Sequence, residues 1–294
     1  MTALKKLGLW DTIKQHGARI DGIHSTSNGR TVLDVAYSRY HSKLYGLGLH
    51  RGVLFESLLS ACELEPYISL HFGVGVNDVK QTSNHVTLST DVAEAPLGPF
   101  DLVILADGAH SHLRDKSGIP SWTRRYDYGA LFSLIPDELN TFGNTLVQAH
   151  AGPGCHETLG FLPTGLPWGA RSKADFTTTL YFNLRGDEWG AALGSGGYLG
   201  GESTEYLGQE PSKTQTNGPV NSWGPSRLQA WKDKCCRLMP QAADLVQKGI
   251  SDSRQVAFAR YSDSVVWRFH SGRVALLGDC AHAMSPQLGQ VVQE

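Results

Sequence analysis

Short apolar runs bounded by turn residues dominate the chain, and helix-like spacing of apolar positions is confined to a few segments. Helices are predicted over residues 3–16, over 49–65 and over 225–239, with a further helix after Pro240. For the helix within 49–65, we expect a single apolar face made of Leu54, Leu58, Leu59 and Cys62.

A β-hairpin is predicted near the N-terminus. Asn28 and Gly29 separate two runs rich in β-branched residues, and this pair tolerates the positive φ of a type I′ turn. Strand-like segments follow at YISLHF (67–72), HVTLST (85–90) and DLVILAD (101–107). These predicted strands are short, and the helix within 49–65 lies between them and the hairpin.

The middle of the chain has a different pattern of predicted elements. Strand-like segments at 129–136, 159–165 and 177–185 follow one another without strong helices between them, which is typical of an antiparallel sheet. From about residue 190 to 224 the chain is rich in Gly, Ser, Thr, Asn and Gln. Such a run buries too little apolar surface to offset its ordering entropy, so we expect a flexible insertion.

Two apolar runs, within residues 100–114 and 272–286, each end in a small residue and an aspartate. Continuous apolar runs suit parallel strands covered on both faces, and open α/β sheets bind ligands at the carboxyl ends of such strands. Asp107 and Asp279 would accept hydrogen bonds from ligand hydroxyls, while Gly108 and Gly278 allow close approach. Alternatively, each segment is an ordinary strand-to-turn exit, and Asp279 caps a helix.

Three motifs together resemble a known family. "ADGAHSHLR" (106–114) and "GDCAHAMSPQLGQ" (278–290) match, in order, the two internal motifs of FAD-dependent monooxygenases similar to para-hydroxybenzoate hydroxylase, the class A flavoproteins. "LHRGVLFESLL" (49–59) precedes them and resembles the segment in which an arginine contacts the flavin before a helix. The resemblance covers nearly the whole chain and is weakest between about 186 and 224.

The resemblance implies roles for particular residues. Arg51 would contact the flavin, and Asp107 with Gly108 would support both FAD binding and the approach of a nicotinamide nucleotide. Arg114 would anchor its segment, meet a phosphate or form a structural ion pair. No side chain is assigned to catalysis, because the cofactor supplies the hard chemistry.

The second motif carries the other cofactor-binding residues. Asp279 would hydrogen-bond the ribityl or pyrophosphate part of FAD, with Gly278 giving it room. Pro286 would lie beside the isoalloxazine, and the amides of Gly289 and Gln290 would point at the flavin pyrimidine.

The fold implied is α/β with α+β mixed character. An incomplete Rossmann-like FAD-binding domain with a parallel sheet would comprise residues 1–125 and 268–294, and an antiparallel-sheet substrate domain would comprise 126–267. No GxGxxG unit fits the family's first βαβ segment, so we expect a member truncated at both ends that retains FAD weakly. In such a member, RVALLG (273–278) would have an unpaired edge.

The implied function is that of a FAD-dependent oxidoreductase. NADH or NADPH would reduce FAD, and oxygen would then hydroxylate a small aromatic substrate. Two alternatives stay open: a truncated, non-catalytic ligand-binding or interaction protein, and a flavin reductase or dehydrogenase of the same fold. The sequence also leaves open whether this chain is itself active, which substrate it takes and its oligomeric state.

Composition limits the classes of partner that the chain is expected to bind. The 294 residues have a formal net charge of -2 without a basic stripe, which argues against nucleic acid. No apolar run is long enough to span a membrane and no signal peptide is evident, so a cytoplasmic location is expected. The expected partner is a small-molecule substrate.

Cysteine and histidine spacing raises a metal-site hypothesis. The five cysteines lack CxxC spacing, so neither a disulfide framework nor a zinc ribbon is indicated. His110 and His112 alternate, and Cys280 and His282 repeat that spacing, as metal ligands can. Because all four lie inside the flavin motifs, we expect no metal.

Overall fold

The computed structural model describes residues 2–92, 95–152, 157–185, 218–219 and 223–284. The helices in chain order are α1 (Thr2–Lys6), α2 (Trp10–His16), α3 (Arg51–Leu64), α4 (Leu113–Lys116), α5 (Pro225–Leu238), α6 (Ala243–Gly249) and α7 (Asp279–His282). The strands in chain order are β1 (Ala18–Ile20), β2 (Gly22–Ser27), β3 (Arg30–Ala36), β4 (Gly46–Gly48), β5 (Val76–Gln81), β6 (Val86–Thr90), β7 (Leu97–Phe100), β8 (Val103–Leu105), β9 (Ser121–Pro136), β10 (Thr145–Ala151), β11 (Glu157–Gly165), β12 (Thr177–Arg185), β13 (Gly218–Pro219), β14 (Val256–Val266), β15 (His270–Ser271) and β16 (Val274–Leu276). Most of the predicted insertion at 190–224 lies outside the described residues.

The chain forms two compact units. The first comprises Met1–Ile68 with Asp127–Ala259, and the second comprises Ser69–Tyr126 with Arg260–Glu294. Residues 1–68 group with the antiparallel sheet because β2 pairs in parallel with β10, from Gly22 opposite Thr145 to Ser27 opposite His150. The assignment of 1–125 and 268–294 to FAD binding stays a prediction.

An eight-stranded sheet organises the first unit. Its strand order is β13-β14-β9-β12-β11-β10-β2-β3. Strands β9, β12 and β11 pair antiparallel in that order, as the sequence predicts. Strand β10, which was not predicted, pairs antiparallel with β11, and β2 joins β10 as a parallel neighbour. The predicted hairpin is confirmed: Ser27 pairs with Arg30, and Asn28 (φ 49°) and Gly29 (φ 75°) form the turn.

Helices α5 and α6 pack on one face of this sheet. Side chains alternate between the two faces of a strand, so every second residue of β9 to β12 enters the core. The buried residues of this core come from the sheet, from α5 and α6, and from the loops beside them: Leu131, Ile135, Val147, Ala149, Leu159, Phe161, Leu180, Phe182, Trp223, Leu228, Trp231, Cys235, Met239, Ala242, Val246, Ile250 and Val256.

The second unit contains two three-stranded sheets, with the orders β15-β16-β8 and β5-β6-β7. In the first, β8 and β16 are parallel and β15 is antiparallel to β16. Val103, Leu105, Val274 and Leu276 from the parallel pair are buried in the core of this unit. The predicted combination of a parallel-strand unit with an antiparallel-sheet unit is therefore confirmed.

Several local predictions differ from the structure. Residues 67–72 form no strand, and the next strand is β5. The predicted helix over 3–16 is divided into α1 and α2 at Gly8, whose φ is 72°. In α3 the buried residues are Val53 and Ser57 rather than the predicted leucine face. Strand β16, within RVALLG, has neighbours on both sides, and within the described residues β15 and β8 are the edge strands of this sheet.

None of the helices among the described residues is long and apolar enough to cross a membrane.

The loss of stability on replacing a leucine by alanine should depend on whether that leucine lies in the core of the first unit. Leu180→Ala removes a side chain of 0% relative exposure from the sheet and should lower the free energy of unfolding by about 2–5 kcal/mol. The matched control Leu139→Ala truncates a side chain that is 89% exposed and should change it by less than ~0.5 kcal/mol. Urea unfolding followed by circular dichroism measures both, and equal effects would contradict the assigned core.

Candidate functional site

The two aspartates that follow apolar runs lie at one edge of one sheet. Strands β8 and β16 are parallel neighbours, with Leu105 opposite Leu276, and the amide of Leu277 donates to the carbonyl of Leu105 at 2.9 Å. Asp107 follows the end of β8 by two residues, and Asp279 follows the end of β16 by three. Because the strands run in the same direction, both exposed aspartates lie at their carboxyl ends, where α/β sheets bind ligands.

Glycine is required beside each aspartate by the backbone conformation. Gly108 has a φ of 88° and Gly278 a φ of 61°, a region that side chains with a Cβ rarely adopt. A Cβ built at either glycine would meet no atom within 4 Å, so the space next to both is open. A ligand can therefore approach the backbone closely at both turns.

The thiol of Cys280, the residue after Asp279, is kept in its protonated form. Cys280 is buried, and burial raises the pKa of its thiol; Asp107 raises this pKa further, and Ser111 lowers it in part. The thiol therefore stays protonated at neutral pH.

The buried Arg114 side chain connects the turn after β8 with the turn after β16. Its side chain is buried, with 3% relative exposure for the residue, and Nη1 donates to the carbonyl of Cys280 at 2.9 Å. Nη1 and Nη2 both donate to the carbonyl of Ala109 at 3.3 Å. Further bonds go to the hydroxyls of Ser264 (3.1 Å) and Thr123 (2.7 Å).

Of the roles considered for Arg114, anchoring is the one that this geometry supports. Its terminal nitrogens are engaged by carbonyls and hydroxyls, and among the described residues Nε is a buried donor without a partner. A guanidinium with five donors in a fixed planar arrangement can hold several backbone carbonyls at once. The residue therefore fixes the two turns relative to each other within the second unit.

The other predicted cofactor residues lie elsewhere. Arg51 is the first residue of α3, where it is exposed, and it belongs to the first unit. The helix start is capped by the ring of His50, whose Nδ1 accepts from the Gly52 amide at 3.1 Å. Pro286, Gly289 and Gln290 lie outside the described residues.

The metal hypothesis finds no ligand cluster in the described ranges. No group of three or more His, Cys, Asp or Glu side chains there could hold a metal ion. His112, one of the alternating histidines, has its Nε2 at 3.0 Å from the carbonyl of Val76.

Sequence reasoning missed part of this arrangement. It treated Cys280 only as a possible metal ligand, and it did not identify Ser264 or Thr123. Ser264 lies 150 residues from Arg114 along the chain, on β14, so no local pattern links the two. The hint in the sequence was Arg114, which ends the motif that contains Asp107. A buried arginine needs several hydrogen-bond acceptors around it.

The residues described here fit a polyhydroxylated ligand such as the ribityl part of FAD. Two carboxylates provide strong acceptors for hydroxyl groups, and the open positive-φ glycines let such a ligand approach the backbone.

Comparison with known proteins finds sequence relatives among the monooxygenases. No protein-family model matches the chain. The 3-amino-4-hydroxybenzoate 2-monooxygenase of Streptomyces cremeus is 24% identical over 294 residues, which cover 98% of this chain and 61% of that protein. The mitochondrial ubiquinone biosynthesis monooxygenase COQ6 of Caenorhabditis elegans is 24% identical over 298 residues, which cover 98% and 62%. The chain thus spans about three fifths of the length of these relatives.

Solved structures share the fold. PqsL, described as a probable FAD-dependent monooxygenase from Pseudomonas aeruginosa, has a TM-score of 0.71 and 14% identity, covering 98% of this chain and 68% of that one. The tetrameric form of 2-methyl-3-hydroxypyridine-5-carboxylic acid oxygenase has a TM-score of 0.67 and 17% identity, covering 98% and 64%.

Arg114 yields a stability prediction. Arg114→Met removes the guanidinium that donates to the carbonyls of Ala109 and Cys280 and should lower the free energy of unfolding by about 2–4 kcal/mol. Arg268→Met is the control in the same unit, because the Arg268 side chain is exposed and donates one 3.3 Å bond to Gly118; it should change stability by less than ~0.5 kcal/mol. Urea unfolding distinguishes the two, and a wild-type-like Arg114→Met protein would refute the anchoring role.

The three ordered sequence motifs, the sequence relatives and the fold agree. The resemblance seen in the sequence is confirmed, and the mixed α/β architecture is the one found in FAD-dependent monooxygenase structures. The chain is therefore a homologue of FAD-dependent monooxygenases, and these relatives support the resemblance to the class A flavoproteins that its sequence shows.

Proposed function

We propose that the chain carries the function of a FAD-dependent monooxygenase that uses NADH or NADPH and molecular oxygen to hydroxylate a small aromatic substrate. One observation carries the proposal: two carboxylates, each beside an open glycine of positive φ, follow adjacent parallel strands. Acceptors at this edge of the sheet are expected for the hydroxyl-rich part of a dinucleotide.

Each cofactor residue has a specific role in this proposal. Asp279 hydrogen-bonds the ribityl or pyrophosphate part of FAD, with the ribityl hydroxyls as the donors to its carboxylate, and Gly278 gives that part room. Asp107 and Gly108 support FAD and the approach of the nicotinamide nucleotide. Arg51 contacts the flavin from its position at the start of α3.

The remaining cofactor residues belong to the end of the chain. Pro286 lies beside the isoalloxazine in this proposal, and the amides of Gly289 and Gln290 face the pyrimidine. Residues 1–125 with 268–294 form the FAD-binding domain, and residues 126–267 form the substrate domain.

FAD, when bound, supplies the redox chemistry, in which NAD(P)H, a proton, oxygen and the substrate yield the hydroxylated substrate, water and NAD(P)⁺. The protein contributes position and electrostatics. Arg114 holds the turns after β8 and β16 together through its bonds to the carbonyls of Ala109 and Cys280. The turn that carries Asp107 therefore needs little reorganisation when a ligand hydroxyl binds.

The relatives support an aromatic substrate with oxygen substituents. One is named for its action on 3-amino-4-hydroxybenzoate, and PqsL was solved in complex with 2-aminobenzoylacetate. Their names also support a monooxygenase over the two alternatives, a non-catalytic binding protein and a flavin reductase or dehydrogenase.

The proposal is tested by titrating the full chain with FAD and following the quenching of flavin fluorescence. Saturable binding is expected, and Asp279→Ala should weaken it about 10- to 100-fold, because hydrogen bonds to a charged acceptor are lost. Asp101→Ala is the matched control, since Asp101 is an exposed aspartate of the same unit before β8, and it should bind FAD as wild type does.

Two outcomes would contradict the proposal. One is the absence of saturable FAD binding, and the other is equal FAD affinity in Asp279→Ala and wild type. With FAD bound, oxidation of NADH or NADPH stimulated by an aromatic compound, with incorporation of oxygen from ¹⁸O₂, distinguishes hydroxylation from simple flavin reduction.

A further inference from the structure

The start of α3 is capped by a histidine. His50 precedes the first helical residue, Arg51, and has an extended backbone with φ -64° and ψ 126°, as helix-capping residues do. Its ring Nδ1 accepts a hydrogen bond from the Gly52 amide at 3.1 Å, and its carbonyl accepts from the Val53 amide at 2.9 Å. His50 therefore satisfies two of the backbone donors at the start of the helix.

Gly52 leaves room for the His50 ring. A Cβ built at Gly52 would lie 2.9 Å from both Nδ1 and Cε1 of this ring, closer than real Cβ atoms approach. Glycine inside a helix ordinarily lowers stability relative to alanine, because its backbone loses more conformational freedom on folding. The imidazole cap supplies a physical reason for a glycine at this position.

The backbone on both sides of Arg51 is held in place. The His50 amide donates to the carbonyl of Thr164 on β11 at 3.2 Å, and the Val53 side chain is fully buried. Arg51 itself is exposed. The direction in which the Arg51 side chain leaves the protein is therefore set by the first turn of α3, which the His50 ring closes.

The cap requires one protonation state of the ring. Nδ1 accepts the Gly52 amide while the imidazole is neutral with its proton on Nε2, whereas an imidazolium has two donors and no acceptor. Histidine side chains change their charge between about pH 5 and pH 8. An imidazolium here would also lie at the positive end of the helix dipole, next to the Arg51 residue in the chain. The cap is therefore present while the ring is neutral and is lost as the pH falls.

Other charged groups are carried by the elements that pack around this helix start. Strand β4 has no titratable side chain, and the one on β11, Glu157, is at the far end of the strand, where it pairs with Lys234. Within the described residues the His50 ring forms its hydrogen bond with the Gly52 amide and no ion pair. The remaining charged or titratable groups near this end of α3 and on α2, which packs against it, are Arg51, Glu56, Asp11, Lys14 and His16.

We propose that His50 is a positioning residue that holds Arg51 in the first turn of α3, and that protonation of the imidazole opens this cap and weakens flavin binding. When the Gly52 amide loses its acceptor, the first turn frays, because a helix end has no backbone bonds to replace it. Arg51 then leaves the orientation in which it contacts the flavin. This inference rests on the proposed function, because the contact between Arg51 and the flavin belongs to that proposal.

The cap is tested without cofactor, by hydrogen exchange of the Gly52 amide measured by NMR on the full chain. His50→Ala should lower the protection factor of this amide about 5-fold. His50→Ser offers a hydroxyl acceptor at every pH, so its protection should stay within about 2-fold of wild type. Between about pH 7.5 and about pH 5.5, wild-type protection should fall about 2- to 5-fold, and His50→Ser protection should stay constant.

His41→Ser is the matched control. His41 is an exposed histidine of the same unit, outside any helix, and its Nδ1 also accepts from the amide two residues further on, that of Lys43, at 3.2 Å. Removing this imidazole should leave the protection of the Gly52 amide and its pH dependence as in wild type. Circular dichroism verifies that all variants are folded.

The effect on Arg51 is tested by repeating the FAD titration at both pH values. Wild type and His50→Ser should bind FAD alike at about pH 7.5, and wild type should bind about 2- to 5-fold more weakly than His50→Ser at about pH 5.5. Because the two proteins are compared at the same pH, titration of FAD and of all other side chains cancels. A purely structural role of His50 would not produce this pH-dependent difference between two capped proteins.

Three outcomes overturn the inference. They are equal Gly52 protection in wild type and His50→Ala, wild-type protection that does not depend on pH, and the same pH dependence of FAD affinity in wild type and His50→Ser. Absence of FAD binding in every variant at both pH values contradicts the proposed function instead. The exchange measurement contains no FAD, so the two failures are distinguishable.

Discussion

The parallel pairing of β8 with β16 is the constraint on which the candidate site depends. The paired residues, such as Leu105 and Leu276, are far apart in the chain, so closing the intervening loop costs entropy that local contacts cannot offset. Buried apolar side chains of both strands and the bonds of Arg114 to Ala109 and Cys280 supply the compensating free energy. Because β8 and β16 pair in parallel, Asp107 and Asp279 both lie at the carboxyl edge of this sheet.

Local backbone chemistry could be predicted from the sequence because its causes are local. The Asn28–Gly29 turn forms as expected, since two successive residues of positive φ favour this pair. Asp107 and Asp279 lie at the end of adjacent strands because the apolar runs before them form parallel strands. By contrast, residues 67–72 have strand-like composition but form no strand, and Tyr67 is 94% exposed. A strand requires a partner, and composition does not specify one.

The contacts that hold the site together could not be predicted in this way. Arg114 meets Ser264 and Thr123 only because the strands carrying them pass beside it in the folded unit. Likewise, the hydroxyl of Ser25 meets Gln148 only because β2 joins β10 in one particular parallel register. A shift of one residue would move Ser25 to the opposite face, so these relations belong to the tertiary structure.

The burial of the Cys280 thiol affects how this sulfur reacts with oxidants. Attack on peroxide requires the thiolate, and burial together with the neighbouring Asp107 carboxylate keeps this sulfur in its unreactive form. A thiol that stays protonated reacts slowly with peroxide, so conversion of this sulfur to sulfenic acid is disfavoured.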